Sequence, residues 1–392
     1  MSSESSQIDI CGDDGMRAKL TDLASIQYGY AFDSANFSDD DSYPPLVRIR
    51  DVKRGFSETF YSGDYPGEYT VHAGDLLIGM DGEFNIARWK SRDALLNQRV
   101  CRVSAKNDAY EEYLRFALIG ALKEIEDRTA FVTVKHLSAK ELNKLVLDVP
   151  SYNEQEQIAG MLSRIERIIS QREQQLSTLD DIIKARFVEM FGTYPSNEKG
   201  WLTGAIRELV TEVRYGSSRK AAEGDSGKYP YLRMNNITYN GELDLSDIKT
   251  IDIPYEELDK CTVRRGDLLF NRTNSKELVG KTCVYNRDEL MVLAGFVVRV
   301  RLNEKALPEF VSEFMNTAFS KQMLLGMCKA AIGQANINAQ ELQNIGIYIP
   351  PIELQKEFVS FKEQIGKSKS VIQKSLNETQ ILFDSLMQQY FG

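Results

Sequence analysis

The chain is poor in cysteine and histidine, which narrows the classes of site that it can hold. Its five cysteines are scattered and form no Cys-x-x-Cys pair, which argues against a disulfide framework and a zinc knuckle. We expect them to be reduced and mostly buried. The two histidines, His72 and His136, stand apart from any cysteine or carboxylate cluster with metal-ligand spacing. We interpret both as surface or capping residues and predict no metal site.

Long apolar runs are also missing. No stretch of about 18 apolar residues occurs, so the sequence predicts neither a transmembrane helix nor a membrane partner. The first residues, MSSESSQIDICGDD, have neither a basic stretch nor an apolar core, which argues against a secretory signal. We expect a cytoplasmic protein in which residues 1–16 form a flexible, frayed tail.

The motifs of common catalytic sites are absent from the sequence. No Gly-x-Gly-x-x-Gly precedes a predicted helix, and no Gly-x-x-x-x-Gly-Lys-Ser/Thr loop occurs. The stretch Ile349–Ile352 lacks the asparagine and the aromatic residue of the loop with which amino-methyltransferases hold a flipped base. No Ser-His-Asp or Cys-His set stands out. We predict that the chain alone performs no covalent chemistry and has no catalytic, cofactor-binding or metal-binding residue.

The net charge of -9 argues mildly against a simple nucleic-acid binder, because neutralising phosphates requires lysine and arginine. Basic residues are nevertheless concentrated in segments 46–56, 86–102 and 260–281. In these segments bases outnumber acids by four to one, five to one and six to two. An acidic frame that carries basic loops is compatible with local DNA contact.

One stretch, residues 152–192, has apolar residues seven apart and predicts a single long helix with a coiled-coil seam. Residues 352–392 repeat it in the same phase: Ile165 matches Ile365, and Leu176 matches Leu376. The residues predicted to pack one helix on the other are Ile158, Leu162, Ile165, Ile169, Leu176, Leu179, Ile183, Phe358, Ile365, Ile372, Leu376, Phe383 and Leu386.

The segments ahead of the two helices also repeat. LVRIRDV is matched by YLRMNNI, and HAGDLLIGMDG is matched by RRGDLLFNRTN, in the same order along the chain. Short runs bounded by Gly, Pro, Asn and Asp predict β-rich domains, with one helix at 109–121. We therefore predict an α+β fold with two copies of one domain. The first copy is residues 17–150, followed by a helix at 151–192, and the second copy is residues 193–350, followed by a helix at 351–392.

Together these segments resemble the specificity (S) subunits of type I restriction-modification systems. The resemblance extends from Leu20 to Gly392. Besides the duplicated segments, it rests on the helix openings VPSYNEQEQIAG and IPPIELQKEFVS and on the passage MFGTYPSNEKGW that starts the second copy. Each motif alone is weak, but the full set occurring twice in the same order is specific.

The resemblance implies two target-recognition domains in tandem, held apart by two long helices that pack as an antiparallel coiled coil. In this family each domain reads one half of a bipartite target in double-stranded DNA. The implied partners are modification subunits, which methylate adenine and are expected in two copies, and restriction subunits with translocase and nuclease activity. S-adenosylmethionine, ATP and Mg are then expected on those partners and not on this chain. Because the two copies match only modestly, we expect an asymmetric target.

The DNA-contacting residues are predicted from the chemistry of their side chains. Arg and Lys donate hydrogen bonds to guanine, Asn and Gln bind adenine, and any basic or hydroxyl side chain can bind a phosphate. For any one of them, such as Arg48 or Arg50, the solvated face of a strand is an equally good reading. Tyr28, Tyr30, Phe32 and Tyr215 could stack on DNA, but a tyrosine or phenylalanine beside a glycine turn is more often local core. The predicted DNA-binding residues are Arg48, Arg50, Lys53, Arg54, Arg88, Lys90, Arg92, Arg219, Lys220, Arg233, Asn235, Asn236, Arg272, Asn274, Ser275 and Lys276.

Two other functions remain open at this point. The acidic net charge is compatible with a duplicated scaffold that binds only proteins. A fused DNA-modifying enzyme is the other alternative, although no catalytic motif supports it.

Overall fold

The computed structural model describes residues 9–11, 15–106, 109–128, 136–275, 277–328 and 335–392. The chain divides into two compact units. The first unit consists of residues 1–173 with 374–392, and the second consists of residues 174–373. Each unit therefore contains one copy of the duplicated sequence together with parts of both long helices.

The first unit has a four-stranded antiparallel sheet at its centre. Strand Val100–Ala105 lies between Ala24–Tyr28 and Leu76–Gly79, and Asn85–Arg88 forms one edge. Further strands are Asp9–Cys11, Gly15–Lys19, Phe37–Ser38, Leu46–Val47, Phe60–Tyr61, Thr70–Val71, Ala94–Leu96 and Val146–Val149. The helices that precede the first long helix are Leu20–Leu23, Ile49–Arg54, Glu111–Arg128 and Ala139–Lys144, with 3₁₀ turns at Ser34–Asn36 and Gly67–Tyr69.

The second unit repeats this sheet with the same strand order. Val297–Leu302 lies between Val210–Tyr215 and Leu268–Asn271, and Thr282–Val284 forms the edge. Further strands are Leu202–Ala205, Tyr229–Leu232, Lys249–Ile251, Thr262–Val263, Thr273–Asn274, Met291–Leu293, Ala335–Asn336 and Gly346–Ile349. Its helices are Tyr255–Cys261, Pro308–Asn316, Ala318–Met327 and Ala339–Gln343, with 3₁₀ turns at Ile206–Leu209, Glu223–Asp225 and Met234–Asn236.

The Gly-Asp-Leu-Leu sequence that both copies contain forms the same turn in each. Gly74 adopts a left-handed conformation with φ of 97°, which glycine tolerates best. The Asp75 carboxylate accepts a hydrogen bond of 2.9 Å from the His72 backbone N–H, and the two leucines that follow are buried. In the second copy Gly266 and Asp267 repeat this arrangement. The glycine and the aspartate form the turn and the two leucines enter the core, so all four residues have the same structural role in both copies.

Residues 43–52 belong to the short runs expected to be β-structure, but they are only partly a strand. Only Leu46–Val47 is a strand, and Ile49–Arg54 is a helix. The Asp51 carboxylate accepts a 3.0 Å hydrogen bond from the Arg48 N–H at the start of this helix, and Gly55, with φ of 77°, ends it. Arg48 and Arg50 are therefore not on the solvated face of a strand.

Two further boundaries differ from the sequence-based predictions. Within the tail predicted at 1–16, Asp9–Cys11 pairs antiparallel with Gly15–Lys19, and residues 1–8 and 12–14 lie outside the described residues. The helix predicted at 109–121 is Glu111–Arg128, longer than expected at its C-terminal end. In the second copy the corresponding segment is two helices, separated at Thr317, whose side chain caps the second of them.

The long helices are Tyr152–Phe191 and Ile352–Phe391, each of 40 residues. All the residues predicted to lie on the seam are buried or half-buried. Other apolar residues of the helices are exposed, among them Val371 at 70 % and Ile381 at 69 %. Phe187 and Phe191, which lie outside the predicted set, are also buried, so the heptad period identifies only part of the covered apolar surface.

Both long helices contribute to the core of each unit. In the first unit Leu162 is buried in the same cluster as Phe116, and Phe383 and Leu386 pack against it. In the second unit the core includes Ile183, Phe187 and Phe358, and the rings of Phe187 and Phe358 lie 5.3 Å apart.

A buried glutamine attaches the start of each long helix to the copy that precedes it. Gln155 accepts a 2.9 Å hydrogen bond from the Tyr110 N–H and donates one of 3.0 Å to the Pro150 carbonyl. Gln355, which is fully buried, accepts one from the Leu307 N–H and donates to the Pro350 carbonyl. These amides satisfy backbone groups that would otherwise be buried without a partner.

Candidate nucleic-acid interface

The short helix Ile49–Arg54 presents the basic group of the first copy. Arg50 and Lys53 are exposed, and Lys53 lies 3.3 Å from Glu83, a pair in which both side chains are largely in solvent. Arg54 pairs with Glu58 at 2.9 Å and lies over the Phe56 ring. Ion pairs between exposed side chains contribute little stability, so these cations remain available to a phosphate or a base edge.

Arg88, predicted to contact DNA, is instead held inside its own copy. Its guanidinium donates to Glu111 and Glu112 on the following helix and to the Gly74 carbonyl, at 2.7–2.8 Å. Burial alone would lower the pKa of Arg88, but the hydrogen bonds to the two carboxylates raise it overall. The same contact, with Arg115, lowers the pKa of Glu112 against the opposing effect of burial. The guanidinium of Arg88 is therefore engaged by groups 14 to 24 residues away along the chain.

Lys90 and Arg92 are exposed in the loop that follows strand Asn85–Arg88. The stem of Lys90 covers Gly55, the residue that ends the short basic helix. Arg92 donates to the carbonyls of Asp41 and Tyr43. Lys90 therefore leaves its ammonium group at the surface, whereas the guanidinium of Arg92 closes a loop.

The Asn pair of the second copy has two different environments. Asn235 is exposed, whereas Asn236 is 2 % exposed, and its side-chain amide is bonded at both ends to the backbone. Its oxygen accepts from the Arg233 N–H and its nitrogen donates to the Asp244 carbonyl, each at 2.9 Å. Asn236 thus stabilises the loop, and the prediction that it contacts bases does not fit its burial. Arg233 pairs with Asp247 at 2.8 Å.

The glycine-serine loop of the second copy contains one paired and one solvent-exposed cation. Arg219 makes two hydrogen bonds to the Glu257 carboxylate, which raise the pKa of Arg219. Lys220 is exposed beside it. Both side chains lie at the surface, where DNA could contact them.

The predicted group at 271–276 surrounds a short strand pair. Arg272 donates to the Asn336 side chain at 3.1 Å, and its guanidinium lies 5.0 Å from the centre of the Tyr215 ring. Asn274 accepts a hydrogen bond from the Ser275 N–H, and both residues are half-buried. Lys276 lies outside the described residues.

The aromatic residues considered for stacking also divide into two groups. Phe32 is buried, and Tyr28 donates to the Asn143 side chain, so both act within the fold. Tyr30 and Tyr215 are 41 % and 43 % exposed. The Tyr215 hydroxyl accepts a hydrogen bond from the Ala339 N–H, which fixes its ring beneath Arg272.

One group of exposed residues was not found from the sequence, because its members come from three distant segments. In the first copy Arg99, Asp81 and His136 meet, and Asp81 Oδ1 lies 2.5 Å from His136 Nδ1. At the matching place in the second copy are Phe296 and Asn336. In the sequence, these two groups are related only through the order of the duplicated segments along the chain.

The part of the chain that the structure describes contains no cluster of metal-ligating side chains. Within those residues no three His, Cys, Asp or Glu side chains are grouped as metal ligands would be. Cys101, Cys261, Cys283 and Cys328 are buried, and burial raises the pKa of Cys101 and Cys283 to about 12. Neither is an activated nucleophile. The described helices include none that combines the length and the apolar character needed to cross a membrane.

Comparison with known proteins gives one consistent result. The model of the type I restriction modification DNA specificity domain matches twice, at residues 13–178 and 198–379. The EcoBI specificity subunit of Escherichia coli is 29 % identical, over 96 % of this chain and 84 % of that protein. The EcoKI specificity subunit of E. coli strain K12 is 25 % identical, over 64 % of this chain and 52 % of that protein.

Solved structures show the same fold. The S subunit of a type I restriction-modification system from M. genitalium superposes with a TM-score of 0.55, at 13 % identity, over 100 % of this chain and 98 % of that chain. A chain from a structural study of type I restriction-modification complex assembly superposes with a TM-score of 0.52, at 15 % identity, over 96 % and 97 % of the two chains. The chain belongs to the type I restriction-modification DNA specificity family and is a specificity subunit with two recognition domains.

Proposed function

We propose that this specificity subunit reads an asymmetric, bipartite DNA target, with one half-site for each recognition domain. The observation that carries the proposal is a repeated backbone with unlike surface side chains. Both domains have the same central sheet and the same Gly-Asp turn. The exposed groups at matching places differ, as with Arg99 and Phe296. Two domains of this kind present different donors and apolar groups to DNA, so their half-sites differ.

The surface cations support contact with DNA despite the net charge of -9. Arg50, Lys53 and Lys90 are exposed in the first domain, and Lys220 is exposed in the second. A few such contacts suffice to position a domain on the duplex, and base-edge contacts then select the sequence.

In this proposal the chain is non-catalytic and acts through partner subunits. Two modification subunits supply the adenine methyltransferase and bind S-adenosylmethionine, and restriction subunits supply translocation and cleavage with ATP and Mg. Uncovered apolar residues on the long helices, such as Val371, Ile381 and Leu382, offer docking surface for these subunits. A scaffold that binds only proteins would not need the exposed cations of both domains.

The long helices are proposed to form an antiparallel coiled coil that fixes the spacing of the half-sites. Contacts inside each unit support this pairing. In the first unit Arg172 donates to the Ser375 carbonyl, and in the second Lys369 lies 2.6 Å from Asp180. Farther along, Arg186 pairs with Glu357 at 3.0 Å. A helix of 40 residues is about 60 Å long at about 1.5 Å per residue, which exceeds one DNA turn of about 34 Å.

Removing matched heptads tests this spacing role. Deleting residues 173–179 and 370–376 together removes about 10.5 Å of each helix and keeps the heptad phase, so we expect the unread spacer to shorten by about 3 base pairs. Methylation mapping of the reconstituted complex measures this. Deleting only 173–179 is the control, and it should destabilise the protein because the helices no longer match. An unchanged spacer in a folded double-deletion variant would refute the coiled-coil ruler.

Sequence-selective binding tests the function itself. The modification subunit with and without this chain is compared in gel-shift assays on random-sequence duplexes. Selective binding should arise only when this chain is present. Selective binding by the modification subunit in the absence of this chain would refute the proposal. Methylation of DNA by this chain alone would refute the statement that the chain is non-catalytic.

A further inference from the structure

The strongest unassigned feature is the turn that leads into the central strand of each recognition domain. In the first domain the Arg99 carbonyl accepts a hydrogen bond from the Met80 N–H, and the Met80 carbonyl accepts one from the Leu137 N–H. Three segments that are distant in sequence are therefore joined at one point. We call this point the three-segment junction of the first domain.

The second domain has the same junction, bond for bond. The Phe296 carbonyl accepts from the Arg272 N–H at 3.0 Å, and the Arg272 carbonyl accepts from the Ile337 N–H at 2.9 Å. In both domains a glycine packs directly on the turn, since a Cβ at Gly29 or Gly216 would lie within 2.5 Å of a turn carbonyl oxygen. The backbone of the junction is thus fixed in both domains.

The two junctions share these hydrogen bonds, but their exposed side chains are unlike. Arg99, with a side chain 51 % exposed, and Phe296, 51 % exposed, occupy the same place. Arg99 lies beside Asp81 and His136, with its Nη1 3.1 Å from His136 Nδ1. In the second domain the residues at the junction beside Phe296 are Arg272 and Asn336. The same hydrogen-bonded junction with different exposed side chains suits two domains that differ in base preference.

The backbone of Arg99 adds an independent observation. Its φ of 72° places it in the left-handed region, and it is the third residue of a β-turn closed by the Val100 N–H and the Asn97 carbonyl. Glycine or asparagine is preferred at this position of such a turn, so arginine costs stability there. Phe296 is not in the left-handed region. The cost at Arg99 is explained if its side chain is needed for a contact outside the chain.

We propose that Arg99 and Phe296 are base-contacting, specificity-determining residues, each setting the preference at one base pair of its own half-site. The proposal rests on the proposed function. Arg99 has the paired donors that recognise guanine in the major groove, and Asp81 and His136 limit the positions of its side chain. Phe296 offers an apolar contact of the kind that recognises the thymine methyl group.

The test is selection of bound sequences from a random duplex library by the reconstituted complex with modification subunits. Arg99→Gly suits the left-handed turn, so the protein should stay folded, with an unchanged or raised melting temperature. We expect its preference to fall by about 5- to 150-fold at one guanine-containing base pair of one half-site, with the other half-site unchanged. Phe296→Ala should relax one base pair of the other half-site.

Matched controls are Arg17→Ala and Tyr255→Ala, which alter an arginine and an aromatic residue of comparable or greater exposure. Both should leave the selected sequences unchanged. A uniform loss of affinity in Arg99→Gly, with no change of preference, would overturn the proposal for Arg99, as would an unchanged selection. Either result for Phe296→Ala would overturn it for Phe296. If the wild-type complex itself selects no sequence, the proposed function fails and not merely this inference.

Discussion

The two recognition domains attach to the long helices through charge pairs of opposite polarity. In the first domain Arg115, on the domain's own helix, pairs with Glu166 of the long helix that follows. In the second domain the acid is on the domain, where Glu313 pairs with Lys362 at 2.6 Å. Each pair has a largely buried member on the domain side, Arg115 at 10 % and Glu313 at 11 % exposure of the side chain.

The charge pairs differ between the domains, but a second attachment to the long helices is the same in both. Gln155 and Gln355 make matching hydrogen bonds to the backbone ahead of each helix. The duplicated fold therefore keeps its shape-determining hydrogen bonds and varies its charges. Opposite polarity also disfavours docking of one domain on the helix of the other, because like charges would then meet in a partly buried place.

The largest effect is expected from the shared glutamines. Gln155→Met and Gln355→Met each leave buried backbone groups without partners, and we expect each to lower the free energy of unfolding by about 3 kcal/mol. Urea denaturation measures both values, and Gln157→Met, at an exposed position of the same helix, is the control. A large loss at one glutamine and none at the other would show that the two attachments are not equivalent.

A smaller effect is expected from reversing one charge pair. Arg115→Glu faces Glu166 and Glu112 with a like charge, so we expect a loss of about 2 kcal/mol. The double variant Arg115→Glu with Glu166→Lys should recover part of this loss, which a double-mutant cycle by urea denaturation would detect. If the second change adds to the damage, the polarity of the pair does not determine the attachment.

The smallest effect concerns a cation of the second domain, Lys321, whose ammonium group is buried. Burial, with Lys281 nearby, lowers the pKa of Lys321 to about 8, and its ammonium group has no hydrogen-bond partner beneath the Tyr239 ring. Because the pKa of Lys321 is lower in the folded than in the unfolded chain, its charge lowers the free energy of unfolding. The full cost is present below pH 8. This cost declines as pH rises toward the ordinary lysine value.

Lys321→Met should therefore raise the free energy of unfolding by about 1 kcal/mol at pH 7, with a gain that shrinks between pH 8 and 10. Denaturation at several pH values measures this. Lys356→Met, at an exposed position of the same unit, is the control and should show no such pH dependence. A gain that is constant with pH would show that packing, and not the buried charge, is responsible.

The long helices and the duplicated turns could be predicted from the sequence because their signals are local. A heptad period extends over 40 residues, and Gly74 and Gly266 each sit within one turn. The helix at Ile49–Arg54 was mistaken for a strand because its capping by Asp51 and Gly55 outweighs the local β-preference.

The candidate site was harder to predict, since residue type alone does not show which side chains are occupied. Arg88 and Asn236 have the right chemistry, but their donors are used by groups distant in sequence or by their own loop. Arg99 and Phe296 were missed for the converse reason: the three segments of each junction meet only in the folded domain. Spatial neighbours of this kind leave no periodic signal along the chain.

Exchange of one domain tests the central claim, that each recognition domain reads its own half-site, most directly. Residues 193–350 are replaced by the corresponding domain of another family member, and methylated adenines are mapped in DNA treated with the reconstituted complex. The account predicts that one half-site is replaced while the other half-site stays the same. A target that changes in both halves, or in neither, would contradict it.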